Sequence, residues 1–187
     1  MEVRSIQSKI TNDGNTLTGY AALYNSPSHV LSERGRKFVE VIAPRAFDRT
    51  LQANPDITAH WTHNEDSRPP LGRTAAGTWK VWSDAVGLRF ALDLPTWAND
   101  IKEAVFRGDV NGMSFRFHNE KDSWEQRDSV NYRTLHDLDL SHIAVVTRPA
   151  YPNAYAEVRS KIEPPEWKET NSSAMRRVEL MVRELHI

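Results

Sequence analysis

The sequence predicts a mainly β domain with flanking helices, and two observations carry this prediction. Short segments rich in β-branched and aromatic residues recur as far as about residue 160, each bounded by polar or turn-forming residues. Only two segments in that part of the chain have helical spacing. With so few crossover helices, the pattern favours an antiparallel barrel or sandwich over a doubly wound α/β sheet.

The strands are expected in a regular series. The first ends at the turn signal Asn25-Ser26-Pro27, and the fourth and fifth form a hairpin around Ser83-Asp84. The expected strands are Thr16–Tyr24, Lys37–Ile42, Ile57–Thr62, Thr78–Trp82, Gly87–Leu94, Met113–His118, Val130–Leu135 and Leu138–Thr147.

Two helices interrupt this series. Arg45–Leu51 follows Pro44, and proline suits the first turn of a helix. A second helix opens at Thr96, carries apolar residues at helical spacing and stops at Gly108.

The composition changes after Ala156. The segment 161–166 contains two prolines and is typical of a linker, and Ser173–His186 has one apolar stripe at helical spacing. A single short stripe does not fold alone, so this helix is expected to dock on the domain or on a partner. The predicted organisation is a domain over residues 1–160 and a linker with an amphipathic helix over residues 161–187.

Length, charge and cysteine content exclude several classes of function. The 187 residues suit one domain, and a net charge of −1 argues against strong electrostatic attraction to nucleic acid or to an anionic membrane. The absence of cysteine excludes disulfides, thiolate zinc sites and a cysteine nucleophile. Met1–Ile10 lacks the apolar core of a signal peptide, and no stretch approaches the ~20 apolar residues of a membrane span. A soluble, cytosolic protein is expected.

Ser114 is the first candidate for chemistry. It lies in Gly112-Met113-Ser114-Phe115-Arg116-Phe117, where the nucleophile elbow of the α/β-hydrolases would need glycine at position 116. Strand alternation instead places Ser114 and Arg116 on one face and the apolar residues on the other. Alone, such a serine is more typical of a structural role, and it becomes a nucleophile only beside a base.

His63 is the candidate base. It follows a predicted strand and opens a polar loop, which is a good position for a general base, although a surface or strand-capping histidine has the same setting. His60 suggests a metal pair with it. However, residues i and i+3 of a strand point to opposite faces, and no carboxylate or third histidine lies at a recognised spacing. No metal and no cofactor are therefore expected.

His142 is the third candidate, in the apolar segment Leu140–Thr147. A buried histidine there needs a hydrogen-bond partner, which could be the backbone or the ring of another histidine.

Six motifs occur in order along the chain: Gly19–Asn25, Val41–Phe47, His63-Asn64, Leu71-Gly72-Arg73, Gly112–Phe115 and Val145–Pro152. Taken together, these motifs resemble the prohead maturation proteases of tailed bacteriophages, from about residue 3 to 158. That family is related in fold to the herpesvirus assembly proteases, or assemblins. The resemblance implies a mostly antiparallel β-barrel wrapped by helices, with a serine peptidase site on its surface.

Carried over by position, the resemblance makes Ser114 the nucleophile and His63 the general base. The phage proteins usually have an acid at the third position, where this chain has His142, as the assemblins do. The resemblance also implies oxyanion donors among the backbone N–H groups near Thr147 and Arg148.

A histidine in the third position has a chemical consequence. A neutral ring can orient His63 but supplies no negative charge to the imidazolium that forms during reaction, so modest turnover is expected. The alternative third members are Asp137 and Asp139, whose strand parity is opposite to that of His142.

The resemblance implies a serine endopeptidase that cleaves capsid and scaffold precursors, and itself, inside the assembling prohead in the host cytoplasm. Its expected partners are the major capsid protein precursor and scaffold segments, with neither nucleic acid nor membrane. The tail after residue 160 is either a scaffold-like or self-cleaved appendage or a segment for homodimer formation. Two alternatives remain: an inactive capsid assembly or scaffolding protein of the same fold, and a metal-dependent hydrolase using His60 and His63.

Overall fold

A computed structural model of the chain describes residues 14–33, 35–64, 68–147, 150–152 and 155–159. The predicted linker and C-terminal helix, and Arg148, lie outside the described residues, so those expectations stay predictions. Among the described residues, no helix is both long enough and apolar enough to cross a membrane.

Ten strands and two α-helices make up the described chain, and a short 3-10 helix at Thr96–Ala98 leads into the second α-helix. The helices are α1 (Asp48–Gln52) and α2 (Asn99–Phe106). The strands are β1 (Thr16–Leu23), β2 (Leu31–Glu33), β3 (Arg36–Ile42), β4 (Thr58–Trp61), β5 (Gly72–Arg73), β6 (Trp79–Ser83), β7 (Gly87–Asp93), β8 (Gly112–Arg127), β9 (Val130–Val146) and β10 (Tyr155–Arg159). The mainly β prediction is confirmed.

The strands follow the order β2-β3-β9-β8-β10-β1-β7-β6, and β4 joins at β9. Both β3 and β4 run parallel to β9 along one of its edges, and the other pairs are antiparallel. Within the described residues the sheet does not close on itself, since β2 and β6 end the order without pairing with each other. The closed barrel and the likeness to the assemblin fold are therefore not confirmed.

The longest feature is the β8–β9 hairpin. Its turn residues Asp128 and Ser129 both have positive φ, 46° and 65°, as a two-residue turn that matches the strand twist requires. The sequence predicted two strands, Val130–Leu135 and Leu138–Thr147, where the structure has one. The polar residues between them are compatible with a strand because an antiparallel pair can keep one face in water.

The first helix begins three residues later than expected. Arg45 has a left-handed backbone, with φ of 71°, so residues 44–47 form a turn and the helix starts at Asp48. The second helix ends near the predicted stop, where Gly108 has φ of 78°. Glycine adopts that conformation at no steric cost.

The core packs against the apolar face of β8 and β9. Met113 and Phe115 of β8 and Ile143 and Val145 of β9 are buried there, and the Phe115 ring meets Phe47 edge-on at 5.5 Å. Burial of one such side chain contributes about 1.5–3 kcal/mol. This burial fixes which face of β8 turns away from the core, and Ser114 lies on that second face.

Candidate active site

Ser114 lies near the start of β8, opposite Ala144 of β9. Its neighbours Met113 and Phe115 are buried in the core, whereas Ser114 itself is only partly buried. The alternation predicted from the sequence is thus present, and the hydroxyl stays accessible.

His142 lies on β9, opposite Arg116 of β8 and beside Thr58 of β4, and is 1% exposed. A register shift places Arg116 opposite His142 but Phe117 opposite Leu140, so Ser141 is an extra residue in β9. Such a bulge reverses the face on which the following residues lie. It turns His142 to the face of Ser114, while Leu140 remains on the core face.

His63 reaches the same face because the strand conformation ends just before it. Strand β4 ends at Trp61, and Thr62 has a left-handed φ of 65°. The Thr62 N–H donates to the Val145 carbonyl at 3.0 Å, which ties this turn to β9. The expectation that His60 and His63 point to opposite faces assumed a continuous strand and is wrong, because both rings contact the ring of His142.

The three predicted residues form a continuous hydrogen-bonded series. His63 Nε2 lies 2.8 Å from Ser114 Oγ, and His63 Nδ1 lies 2.8 Å from His142 Nε2. For the serine hydroxyl to donate its proton, His63 Nε2 must be unprotonated, so Nδ1 carries the ring proton and donates it to His142 Nε2. This arrangement can remove a proton from Ser114 while holding the His63 ring in one orientation.

His60 packs against the far end of this series. Its ring packs edge-on against the ring of His142, with centroids 5.3 Å apart, and its Nε2 is 3.0 Å from Thr58 Oγ1. The sequence raised His60 only as a metal ligand. Among the described residues no group of three or more histidine, aspartate or glutamate side chains could hold a metal ion.

The alternative third members, Asp137 and Asp139, bind Arg49 of α1. Arg49 Nε lies 2.9 Å from both carboxylate oxygens of Asp137, and its Nη1 lies 2.5 Å from Asp139. The hydrogen bond from Arg49 holds the pKa of Asp137 below its usual range. The expectation that they lie on the opposite face from His142 is wrong for Asp139, since Asp139 lies opposite His118 and the Ser141 bulge puts it on the face of His142. Their contacts with Arg49, however, serve to attach α1 to β9.

The expected oxyanion region is described only in part. Thr147 forms an exposed bend just beyond Val146, which pairs with Gly112 at the start of β8. Its backbone is therefore near the beginning of the strand that carries Ser114. Arg148 lies outside the described residues.

One of three comparisons with known proteins gives a match. The profile of one protein family, described as caudovirus prohead serine protease, matches residues 1–167. No curated protein matches the chain. No solved structure matches it either.

Proposed function

Since this chain belongs to the caudovirus prohead serine protease family, we propose that it is an endopeptidase in which Ser114 is the nucleophile, His63 the general base and His142 the residue that orients the base. The observation that carries the proposal is the hydrogen-bonded series Ser114–His63–His142, with 2.8 Å at each contact. Buried His142 and partly buried Ser114 stand at opposite ends of this series, as an orienting group and a substrate-facing group should.

The reaction follows the acyl-transfer scheme. His63 Nε2 takes the hydroxyl proton as Ser114 Oγ bonds to the scissile carbonyl carbon, whose oxygen becomes an oxyanion. The same proton passes to the leaving amine as the carbon–nitrogen bond breaks, which leaves an acyl-enzyme. Water then attacks that ester with His63 again as base, and the proton returns to Ser114 Oγ. Backbone N–H groups near Thr147 and Arg148 are the proposed oxyanion donors.

His142 limits the rate that this site reaches. Its Nε2 accepts from His63 Nδ1–H and so fixes the tautomer, which is the orienting part of an acid's role. A neutral imidazole provides no negative charge to stabilise the imidazolium of His63. We expect modest turnover, which suffices for an enzyme enclosed with a finite amount of concentrated substrate.

The proposed substrates are the major capsid protein precursor and scaffold segments, and the chain itself, cleaved within the assembling prohead in the host cytoplasm. Family membership supports capsid proteins as the substrate class. The formation of a homodimer, and the absence of nucleic acid and membrane from the reaction, are parts of the same proposal.

The test is precursor cleavage, followed by mass spectrometry when the chain is co-expressed with its capsid protein. Ser114→Ala should abolish cleavage. Ser123→Ala is a matched control, because Ser123 on the same strand also contacts a histidine, with its Oγ 2.7 Å from His136 Nε2 at an exposed position. Processing that survives Ser114→Ala but not Ser123→Ala would overturn the proposal. Unchanged processing in both variants would favour an inactive assembly protein beside another protease.

A further inference from the structure

A buried polar cluster lies on the core side of the sheet, away from the three histidines. Its members are Glu40 on β3, Arg133 on β9 and Tyr151 just after β9, and Tyr151 is 3% exposed. The Tyr151 hydroxyl donates to Glu40 Oε1 at 2.7 Å, and Arg133 Nη1 lies 3.1 Å from Glu40 Oε2. Each oxygen of the buried carboxylate thus receives a donor, the condition under which a buried charge is tolerated.

The hydrogen bond from Tyr151 to Glu40 persists as pH changes, because the Tyr151 phenol stays protonated. Burial, with the nearby charge of Glu40 adding to it, raises the pKa of the Tyr151 phenol well above its usual value. The hydroxyl therefore keeps its proton at any pH at which the protein works. A hydrogen bond from a neutral donor to a carboxylate is stronger than one between two neutral groups.

The Tyr151 ring connects the hydrogen bond with Glu40 to β8, the strand that carries Ser114. It stacks on the ring of Phe115, the residue after Ser114, with centroids 5.7 Å apart and planes 23° apart. One residue earlier, the Ala150 carbonyl accepts from the His29 N–H at 2.9 Å. Strand β9 thus ends opposite Gly112, and two adjacent residues beyond it make fixed contacts, Ala150 with His29 and Tyr151 with Phe115.

We propose that Tyr151 is a positioning residue: bound to Glu40, it holds its own ring against Phe115 and so sets the position of Ser114 Oγ relative to His63. This inference rests on the proposed function. The 2.8 Å contact between Ser114 and His63 has little tolerance, because a displacement of about 1 Å at a reacting group can lower a rate ~10²-fold.

The test uses a fluorophosphonate probe, which reports on an activated serine whatever the natural substrate is. Ser114 Oγ bonds to phosphorus, the phosphorus–fluorine bond breaks, fluoride leaves and His63 takes the proton. Tyr151→Phe keeps the ring that stacks on Phe115 but removes the hydroxyl. We expect its maximal labelling rate to fall about 10-fold, with the half-saturating probe concentration unchanged.

Tyr20→Phe is the matched control. The Tyr20 hydroxyl also donates to a carboxylate, that of Asp84, at 2.7 Å, but Asp84 follows β6, the strand that ends the sheet order on the side away from β9. It should leave both labelling parameters unchanged. Melting curves set the assay temperature below the lowest midpoint, so that every rate comes from folded protein.

The outcomes separate the two proposals. If the unaltered chain is not labelled at Ser114, the proposed function fails. If it is labelled and folded Tyr151→Phe reacts as fast as Tyr20→Phe, the positioning role is overturned.

Should Tyr151→Phe not fold, the labelling rate of Ser28→Ala tests the positioning role instead, because Ser28 Oγ accepts from the Glu40 N–H at 2.9 Å. A rate about 3-fold lower supports the role, and an unchanged rate overturns it.

Discussion

His63 lies between a buried partner and an accessible one, and this difference determines what each can contribute. His142 is enclosed between β8 and β4, so it can fix the orientation of the His63 ring, whereas Ser114 can meet a substrate. Because an imidazole that accepts through Nε2 is uncharged, the proposed contribution of His142 is to fix the orientation and tautomer of His63, and substitution of His142 tests it.

His142→Ala should lower the rate of precursor cleavage about 100-fold while leaving the chain folded. The substitution removes the acceptor for His63 Nδ1–H, so the ring is free to rotate and to place its proton on Nε2. Cleavage is followed by mass spectrometry and folding by a melting curve, with His136→Ala as the control. A folded His142→Ala variant with an unaltered rate would contradict the role of His142, and the third member would then have to be Asp137 or Asp139.

Thr62→Gly should raise the free energy of unfolding by about 1 kcal/mol. A β-branched residue at φ of 65° is strained, whereas glycine adopts this backbone without steric strain, and we expect this gain to exceed the loss of the 3.3 Å contact between Thr62 Oγ1 and the Asn64 N–H. The Thr62 N–H that donates to Val145 is retained. Urea unfolding measures the change, and a less stable variant would show that the Thr62 side chain compensates for its backbone.

The three candidate residues were proposed from the sequence through the family resemblance, since the local setting of each one alone is more typical of a structural role. Their common face could not be predicted, since it depends on two backbone exceptions. Nothing about threonine indicates the left-handed backbone of Thr62, and nothing in Leu140-Ser141-His142 marks Ser141 as the extra residue of a bulge. Tyr151 lies in the motif Val145–Pro152, but its hydrogen bond to Glu40 joins residues 111 positions apart.

At the scale of elements, α1 is attached to β9 by charge. Arg49 contacts both Asp137 and Asp139, and α1 in turn presents Phe47, just before it, to Phe115. Of these two acids, Asp137 has a depressed pKa, chiefly because of the hydrogen bond from Arg49. Its contribution to stability must therefore depend on pH in a defined direction.

Asp137→Asn should destabilise the protein at neutral pH, with the difference from the unaltered chain shrinking in acid. A carboxyl whose pKa is lower in the folded state stabilises above its unfolded value of about 3.9 and loses that effect as pH falls through the folded value. Urea unfolding from pH 7 down to pH 3 measures the difference. Asp109→Asn, on an exposed carboxylate that contacts Arg107, is the control. A difference that grows in acid would contradict the assigned shift.

At the scale of the whole molecule, the sequence was sufficient for the mainly β class and for the β6–β7 hairpin. It was not sufficient for the arrangement of the sheet. Parallel pairing of β3 and β4 along one edge of β9 joins segments about 80 to 90 residues apart, and no local pattern encodes such a pairing. That arrangement is nevertheless what brings His63 beside His142.

If Ser114 is a nucleophile activated by His63, a fluorophosphonate probe should modify it, and mass spectrometry of the labelled protein maps the adduct. We expect one adduct, on Ser114, that disappears in His63→Ala and persists in His136→Ala. The exposed pair of Ser123 and His136 should remain unmodified, although its contact is as short. An adduct on Ser123, or an adduct on Ser114 that survives His63→Ala at an unchanged rate, would contradict the account.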